Sequence, residues 1–378
     1  ILLVALTFRI LILLVGHYIL PLPDTDKDAS GFEKLAWSWA QEGFFNTLDR
    51  YPGYNSFFFP WIIALSYSLF GRSVIMIQSL GLLLGILSVL LGWLLAKKVW
   101  DKQVAMKAGW TLALFPSLAL YSIIPLREVY SSFFLLVAMT GIVNWAKFGG
   151  YKSILIAILG FIGATFFHGV LLIGGVVFLF IVIMTYLKDT YKSILYLRIN
   201  LKSILIISII FIFFIFYFSG KIYIPYVGNF EQSIDTTWLI ENISKRMKGD
   251  ATYPEWTTIK TPVELVYKGL LRSLYFLVAP FPWDVTKTIH FYGVFDGLLY
   301  LILTYLIIKN LKVIWKDPAL KIILIILASY FFIFGVGTSN FGAGLRHRTK
   351  FVIELIILAA PFIPNFSFSH KKLRKYDN

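Results

Sequence analysis

The sequence contains no cysteine, and only 15% of its 378 residues are charged. The absence of cysteine excludes disulfide bonds, thiolate metal sites and cysteine nucleophiles, so any chemistry must come from carboxylates, histidine, arginine, lysine or tyrosine. With 58% hydrophobic residues and a mean hydropathy of +0.77, the chain exceeds what a water-soluble core requires. The composition excludes a soluble multi-domain enzyme and predicts a polytopic membrane protein.

Apolar runs of about the 20 residues that a bilayer crossing requires recur along the chain. We predict about ten spans, near residues 2–20, 76–96, 104–123, 129–146, 153–167, 170–187, 203–219, 291–308, 319–337 and 350–364. The first carries Arg9 and is interpreted as a span rather than a cleavable signal peptide. No internal repeat or low-complexity linker divides the chain. The expected fold is one all-α transmembrane helical bundle over residues 1–378.

The basic residues are concentrated on one side of the predicted spans. The loops near residues 100, 150, 195 and 315 and the C-terminal tail hold 18 Lys and Arg against four acids, a net charge of +14. The opposite side holds 16 against 14. This asymmetry follows the positive-inside rule, so we predict a multi-pass plasma-membrane protein whose basic side is cytoplasmic. The net charge of +15 is then a topology signal, and no nucleic-acid partner is expected.

Function is expected on the external side, in loops near residues 21–75, 124–128, 220–290 and 338–349. Two apolar stretches within these loops, 57–70 and 265–281, resemble spans. The first contains Pro60, and the second contains Lys268 and Arg272. Counting either as a crossing would place basic loops on both sides, so we interpret both as interfacial or re-entrant helices.

The first external loop carries four acids, Asp24, Asp26, Asp28 and Glu33. An amphipathic helix is predicted from Phe32, with its apolar face formed by Phe32, Leu35, Ala36 and Trp39 and with Glu33 elsewhere. Helix capping and solvated loop charge explain any one of these acids, and Asp28 or Ser30 can cap the helix. As a cluster beside a membrane surface, the acids favour a catalytic carboxylate.

Two other external positions carry ionisable groups with little loop around them. Arg127 and Glu128 occupy a short turn between two apolar helices, where they can snorkel to the interface or face a polar cavity. His168 lies at the outer end of two short apolar segments and is either a hydrogen-bonded residue at a helix end or a ligand-binding residue. Both alternatives stay open at each position.

The last external loop, 337–349, combines glycines with Arg346, His347 and Arg348. A basic cluster on the external side opposes the usual charge bias, which favours a function. Guanidinium groups bind phosphate at two points, and the glycines would let the backbone approach an anion closely. Interaction with lipid headgroups is the alternative.

Together these features resemble the GT-C superfamily of polyprenyl-phosphate-dependent glycosyltransferases. Asp28-Ala-Ser-Gly-Phe32 followed by Ala36 is similar to that family's Asp-x-x-x-Tyr-x-x-x-Ala pattern, with Phe in place of Tyr. Leu-Arg127-Glu128 resembles its second-loop acid and Arg346-His-Arg348 its late basic motif, whereas Pro280-Phe-Pro-Trp283 resembles a motif of bacterial polysaccharide-biosynthesis members. The Pro-Pro element common in the family's first loop is absent.

The resemblance implies transfer of a sugar from a polyprenyl-phosphate or pyrophosphate donor to a glycan, lipid or protein acceptor on the external side. Such a donor requires an apolar groove, a cationic phosphate site and a carboxylate base. We assign Asp28 as the base, with Asp26 second. Glu128 either shapes the acceptor site or joins Asp28 on a divalent cation such as Mg²⁺ or Mn²⁺. The candidate substrate-binding residues are Glu33, Arg127, His168, Arg346, His347 and Arg348.

Two other functions fit the same residues. A polysaccharide polymerase or ligase acting on undecaprenyl-pyrophosphate glycans would use similar external arginines. A lipid-linked glycan flippase or another transporter is the non-enzyme alternative, although paired interrupted helices in matching halves are weak in this sequence. Asp296 and Glu354 lie in or near predicted spans and would become proton-relay candidates if transport occurred.

Overall fold

The structure is a computed structural model that describes residues 1–53, 55–195, 251–287 and 290–364, with a few isolated positions between 208 and 241. The described residues are almost entirely helical and contain no β-strand. The predicted span at 203–219 and much of the loop 220–290 lie outside the described residues. The helices are α1 (Leu2–Tyr18), α2 (Ser30–Ala40), α3 (Phe44–Asp49), α4 (Phe58–Phe70), α5 (Val74–Val99), α6 (Lys102–Leu114), α7 (Pro116–Tyr121), α8 (Glu128–Phe148), α9 (Tyr151–Phe167), α10 (Leu172–Leu195), α11 (Pro262–Val278), α12 (His290–Lys309), α13 (Leu311–Lys316), α14 (Pro318–Gly337), α15 (Phe341–Arg348) and α16 (Val352–Ala359).

Five helical segments in the described part of the chain are long and apolar enough to cross a membrane. They are Val74–Val99, Glu128–Phe148, Gly169–Tyr191, His290–Lys309 and Pro318–Gly337. Three further apolar helices are shorter, Leu2–Tyr18, Phe58–Phe70 and Tyr151–Phe167. The predicted all-helical class is confirmed for the described residues, whereas the total of about ten spans stays a prediction.

Small residues hold α8 and α9 against each other. A Cβ atom added at Gly141 would lie 2.4 Å from the backbone nitrogen of Ala157, and one added at Gly160 would lie 2.4 Å from that of Ala138. Such close backbone approach is typical of helix pairs in membranes, where packing rather than water exclusion drives association. The close packing against α9 fixes the position of α8, including its N-terminus at Glu128.

The predicted span at 104–123 is two helices, because Pro116 has no N–H group to continue α6. The carbonyls of Leu112 and Ala113 consequently lose their intrahelical partners. Arg9 of α1 donates to both, at 3.4 and 2.9 Å, and also to the hydroxyl of Ser122 at 3.1 Å. Arg9 is completely buried. It therefore ties α1 to the break between α6 and α7.

Helix α11 packs against α14. A Cβ atom added at Gly269 would lie 3.1 Å from the side chains of Phe332 and Val336, and Phe276 contacts Phe331 and Phe334. The outward face of α11 exposes an apolar stripe that includes Val266, Leu270 and Leu274. The interpretation of the stretch 265–281 as an interfacial or re-entrant helix stays a prediction.

The bundle has two chemically different ends. Helix α8 extends over 21 residues, or about 30 Å, from Glu128 to Phe148. At its far end Lys147 donates to the carbonyl of Lys98, and on the same side Lys107 donates to that of Ile363. Glu128 lies at the opposite end, with the last turn of α14 and the whole of α15. We call the end with Lys107 and Lys147 the lysine end, and the end with Glu128 and α15 the arginine end.

Candidate functional site

Arg346 is the centre of an ionic cluster at the arginine end of the bundle. Asn340 begins α15 by accepting hydrogen bonds from the backbone N–H groups of Gly342 and Ala343. Arg346 lies in the last turn of that helix and pairs with the carboxylate of Asp28. Its Nε lies 3.4 Å from Oε1 of Glu128. Three segments that are predicted to be external and lie far apart in the sequence therefore meet at the Arg346 guanidinium.

Glu128 is the buried carboxylate of the cluster. It occupies the first turn of α8, where a negative charge interacts favourably with the helix dipole. Its side chain is 1% exposed, compared with 53% for Asp28. Oε1 accepts from Nζ of Lys350 at 3.2 Å. Because Glu128 is surrounded by cations and shielded from solvent, Asp28 is the more accessible of the two carboxylates.

His347 connects the cluster to an open cavity. Its Nδ1 lies 2.8 Å from Nζ of Lys350, and its ring is 5.1 Å from that of His168 in an edge-to-face arrangement. Burial, followed by the charge of Lys350, holds the pKa of His347 well below its usual value. The ring is therefore neutral near pH 7.

The cavity lies between the N-terminus of α8 and the facing ends of α14 and α15, and has a volume of about 270 Å³. Its lining includes Arg127, His168, Phe334, Thr338, Asn340 and His347. Arg127 is 7% exposed, and its Nη1 has no hydrogen-bond partner among the described residues. Buried guanidinium donors are normally paired. The cavity can therefore take an anion or another hydrogen-bond acceptor.

Asp24 adds a third carboxylate near the cluster. It has a left-handed backbone, with φ of 61°, and its carboxylate accepts from the hydroxyl of Tyr121. Desolvation raises the pKa of Asp24, although the residue is exposed at the surface. A raised pKa strengthens a base, but the Tyr121 hydroxyl already occupies the Asp24 carboxylate, so Asp28 stays the preferred candidate.

Arg348 does not face this cluster. Its guanidinium is completely buried and lies 2.8 Å from Oδ2 of Asp296. It also donates to the carbonyls of Leu277 and Ala279, at 3.0 and 2.8 Å, and lies over the ring of Tyr300. All three guanidinium nitrogens are engaged, since Nη2 also approaches the carbonyl of Gly293 at 3.4 Å. This environment favours an anchoring role over the predicted phosphate binding.

Glu33 was predicted to lie off the buried face of its helix, and that expectation is wrong. Glu33 is 6% exposed. Its two oxygens accept from Arg72 at 2.8 Å each, and Oε1 also accepts from the hydroxyl of Tyr67 at 3.1 Å. The hydrogen bonds from Arg72 lower the pKa of Glu33. The ion pair joins α2 to the start of α5, which explains why a charged residue is turned inward.

Neither Asp28 nor Ser30, the two predicted caps, caps the N-terminus of α2 with its side chain. The helix starts at Ser30 after a π-helical turn, Thr25–Ala29, and has no side-chain cap. Asp28 pairs with Arg346 instead, which removes the capping explanation for this acid. Asp26 belongs to the same turn, but its side chain lies outside the described part of the structure.

A divalent cation does not fit between Asp28 and Glu128 in this arrangement. Arg346 contacts both carboxylates and occupies the position that a bridging ion would need. Among the residues that the structure describes, no group of three or more acidic, histidine or cysteine side chains is placed to hold a metal ion. The predicted Mg²⁺ or Mn²⁺ site on these two residues therefore has no geometric support.

Two residues of this end were not predicted to be functional. Lys350 was assigned to the start of a span, and Tyr121 to the end of another. A helical reading of 341–350 would have identified Lys350, because it follows His347 by three positions and Arg346 by four, which places all three on one side. Nothing in the sequence pattern distinguishes Tyr121 from other aromatic residues at helix ends.

Comparison with models of protein families, with curated proteins and with solved structures found no match to this chain. The class of the protein is therefore defined by its own structure. Over the described residues it is an all-helical protein with five helices long and apolar enough to cross a membrane.

Proposed function

We propose that this chain is a membrane glycosyltransferase that uses a polyprenyl-phosphate or pyrophosphate sugar donor on the extracytoplasmic side of the plasma membrane. The observation that carries the proposal is that Asp28, Glu128 and Arg346 meet beside a cavity at the arginine end of the bundle. By the positive-inside rule, that end faces outward. The acceptor is a glycan, a lipid or a protein.

Asp28 acts as the general base in this proposal. Its carboxylate takes the proton of the acceptor hydroxyl as the hydroxyl oxygen forms a bond to the anomeric carbon. The bond from that carbon to the phosphate oxygen breaks, and the phosphate leaves with the electron pair. One base suffices, and the configuration at the anomeric carbon inverts. Arg346 orients Asp28, which is half-exposed and can reach an incoming acceptor.

The cationic groups of the site stabilise the leaving phosphate. Arg127 lines the cavity with an unpaired Nη1, and Arg346 lies at the centre of the adjoining cluster. Donors that are already oriented in a poorly solvated site stabilise a developing negative charge without having to reorganise. The apolar wall of the cavity, which includes Val170 and Phe334, is suited to the first isoprenoid units of a lipid donor.

A transport function has one observation in its favour. Glu354 of α16 is 2% exposed, and neither carboxylate oxygen has a hydrogen-bond partner among the described residues. Asp296, the second predicted relay acid, pairs with Arg348 and is engaged structurally. One isolated carboxyl group does not form a relay, so transfer is the better-supported function.

Purified protein in nanodiscs, supplied with a panel of short-chain polyprenyl-phosphate and pyrophosphate sugars, tests the proposal. Water takes the place of the acceptor in this assay, so we expect hydrolysis of at least one donor, with release of the polyprenyl phosphate or pyrophosphate, and a loss of about 10²- to 10⁴-fold in Asp28→Asn. Glu42→Gln, which removes a carboxylate from an exposed pair with Arg50, is the matched control and should keep wild-type turnover. No hydrolysis of any donor, or full turnover by Asp28→Asn, would contradict the proposal.

A further inference from the structure

Lys350 is buried between the carboxylate of the cluster and the histidine of the cavity. It belongs to the 3₁₀ turn Thr349–Phe351 and is completely buried. Its Nζ lies 3.2 Å from Oε1 of Glu128 and 2.8 Å from Nδ1 of His347. A buried ammonium without partners is strongly unfavourable, so these two contacts are what makes the position of Lys350 tolerable.

The two contacts determine which atoms carry protons. Burial lowers the pKa of Lys350 to about 7, an effect that the charge of Glu128 opposes, so the ammonium form predominates below that pH. An ammonium group has three donors and no acceptor, so it can donate to Glu128 and to His347 together. Nδ1 of His347 must then be the acceptor, and in a neutral imidazole the remaining proton lies on Nε2. The charged groups around the ring are the cations Lys350, Arg346 and Arg127 and the carboxylate of Glu128, whose Oε1 lies 3.9 Å from Nδ1, with His168 beside them. Because burial and three cations oppose the one carboxylate, a second proton on His347 is disfavoured.

We propose that Lys350 is a positioning residue that holds His347 in its Nε2–H tautomer, so that the ring offers a neutral N–H donor to an oxyanion in the cavity. His347 lines that cavity together with Arg127. The identity of the oxyanion as a donor phosphate rests on the proposed function, whereas the tautomer does not. Glu128 contributes by holding the Lys350 nitrogen in place and by opposing the loss of its proton.

Nitrogen NMR of protein labelled with ¹⁵N-histidine tests the tautomer directly. The chain has only five histidines, and His347→Gln assigns the relevant pair of signals. In wild-type protein at pH 6, below the pKa of Lys350 and above the lowered pKa of His347, we expect Nδ1 of His347 to be unprotonated and Nε2 to be protonated. In Lys350→Met we expect a mixture of tautomers, whereas Lys312→Met, at an exposed lysine on α13, should leave the spectrum unchanged.

A second variant guards against misfolding of Lys350→Met. Lys350→Gln is closer in polarity, but its side chain is one atom shorter, and its uncharged amide has two donors in place of three, so partial loss of the tautomer preference is expected. Binding of farnesyl phosphate should weaken about tenfold in either variant, the effect of one lost hydrogen bond. A proton on Nδ1 in the wild type, or an unchanged tautomer in both variants, would overturn the proposal. The expected tautomer without sugar transfer would support it and overturn only the proposed function.

Discussion

Arg346 and Arg348 show how two arginines in one motif can differ in role. Successive residues of an α-helix are about 100° apart, so positions two apart point about 200° apart. Arg346 consequently turns toward Asp28 and Glu128, and Arg348 turns toward Asp296. One guanidinium belongs to the candidate site, and the other joins α15 to α11 and α12.

The arginine-to-lysine substitutions separate these roles. Arg346→Lys keeps the charge but loses the planar two-point contact, so we expect donor affinity to fall about 10- to 100-fold, the equivalent of one charge-assisted hydrogen bond. Arg348→Lys cannot reach Asp296 and two backbone carbonyls together, and we expect it to lower the melting temperature instead. Donor affinity and thermal unfolding in nanodiscs measure both effects. Normal stability with lost donor affinity in Arg348→Lys would reverse the assignment.

Glu33 gives a prediction that depends on pH. Its pKa is lowered in the folded protein by Arg72, so the ion pair stabilises the fold above the ordinary pKa of glutamate. That stabilisation is lost as the pH falls through the lowered pKa. Glu33→Gln should therefore reduce the melting temperature at pH 7, and the difference from wild type should shrink below about pH 4. A difference that is constant from pH 7 to pH 3 would show that the ion pair contributes nothing.

At the scale of elements, hydropathy predicts where apolar helices lie but not where they break. The residues 104–123 have the composition of one span, and only Pro116 marks the division into α6 and α7. Proline can also kink a continuous helix, so its presence alone does not decide the outcome. The decisive partner is Arg9, more than 100 positions earlier in the chain, and such a long-range contact has no local signature.

Removing Arg9 should therefore affect the whole α6–α7 connection. Arg9→Met keeps an unbranched apolar stem but leaves the carbonyls of Leu112 and Ala113 without their donor, at a cost of about 1–3 kcal/mol for each unsatisfied buried group. We expect a clear decrease in melting temperature. Arg50→Met is the matched control, because it removes only a surface ion pair, which contributes at most about 1 kcal/mol. Equal melting temperatures for the two variants would contradict this account of the break.

The segment 337–349 was predicted as a glycine-rich loop, and most of it is helix α15. Asn340 caps the helix, which outweighs the low helix propensity of Gly342 and Gly344. The reading as a loop hid the alignment of Arg346, His347 and Lys350. The residue types alone therefore predicted a basic functional cluster here. That Arg346 and Arg348 point in different directions follows only from the helix.

At the scale of the molecule, the two ends of the bundle predict a topology. Introduced single cysteines are convenient probes in a chain without native thiols. In intact cells, a membrane-impermeant thiol reagent should label Glu42→Cys and Glu255→Cys, exposed positions on the side of the arginine end. Lys102→Cys and Lys312→Cys, exposed at the lysine end, should react only after the membrane is permeabilised. Labelling of the lysine-end positions in intact cells would invert the topology and remove the extracytoplasmic assignment.

The contacts that assemble the site from distant segments could not be predicted from a single sequence. Acids and arginines were assigned to external loops from charge distribution, and the structure brings Asp28, Glu128 and Arg346 into contact. It also separates Glu33 and Arg348 from them, because each of these two has a buried partner of its own. Pairing of this kind depends on tertiary packing, which periodicity and composition do not specify.

A density map of the protein with a bound short-chain polyprenyl-phosphate sugar tests the central claim most directly. If Asp28, Glu128 and Arg346 form a transfer site, the phosphate should lie within hydrogen-bonding distance, about 3 Å, of Arg346 or Arg127, with its lipid tail along the apolar wall of the cavity. The sugar should then face the carboxylate of Asp28. A phosphate bound at the lysine end, beside Lys98 or Lys147, would contradict the account.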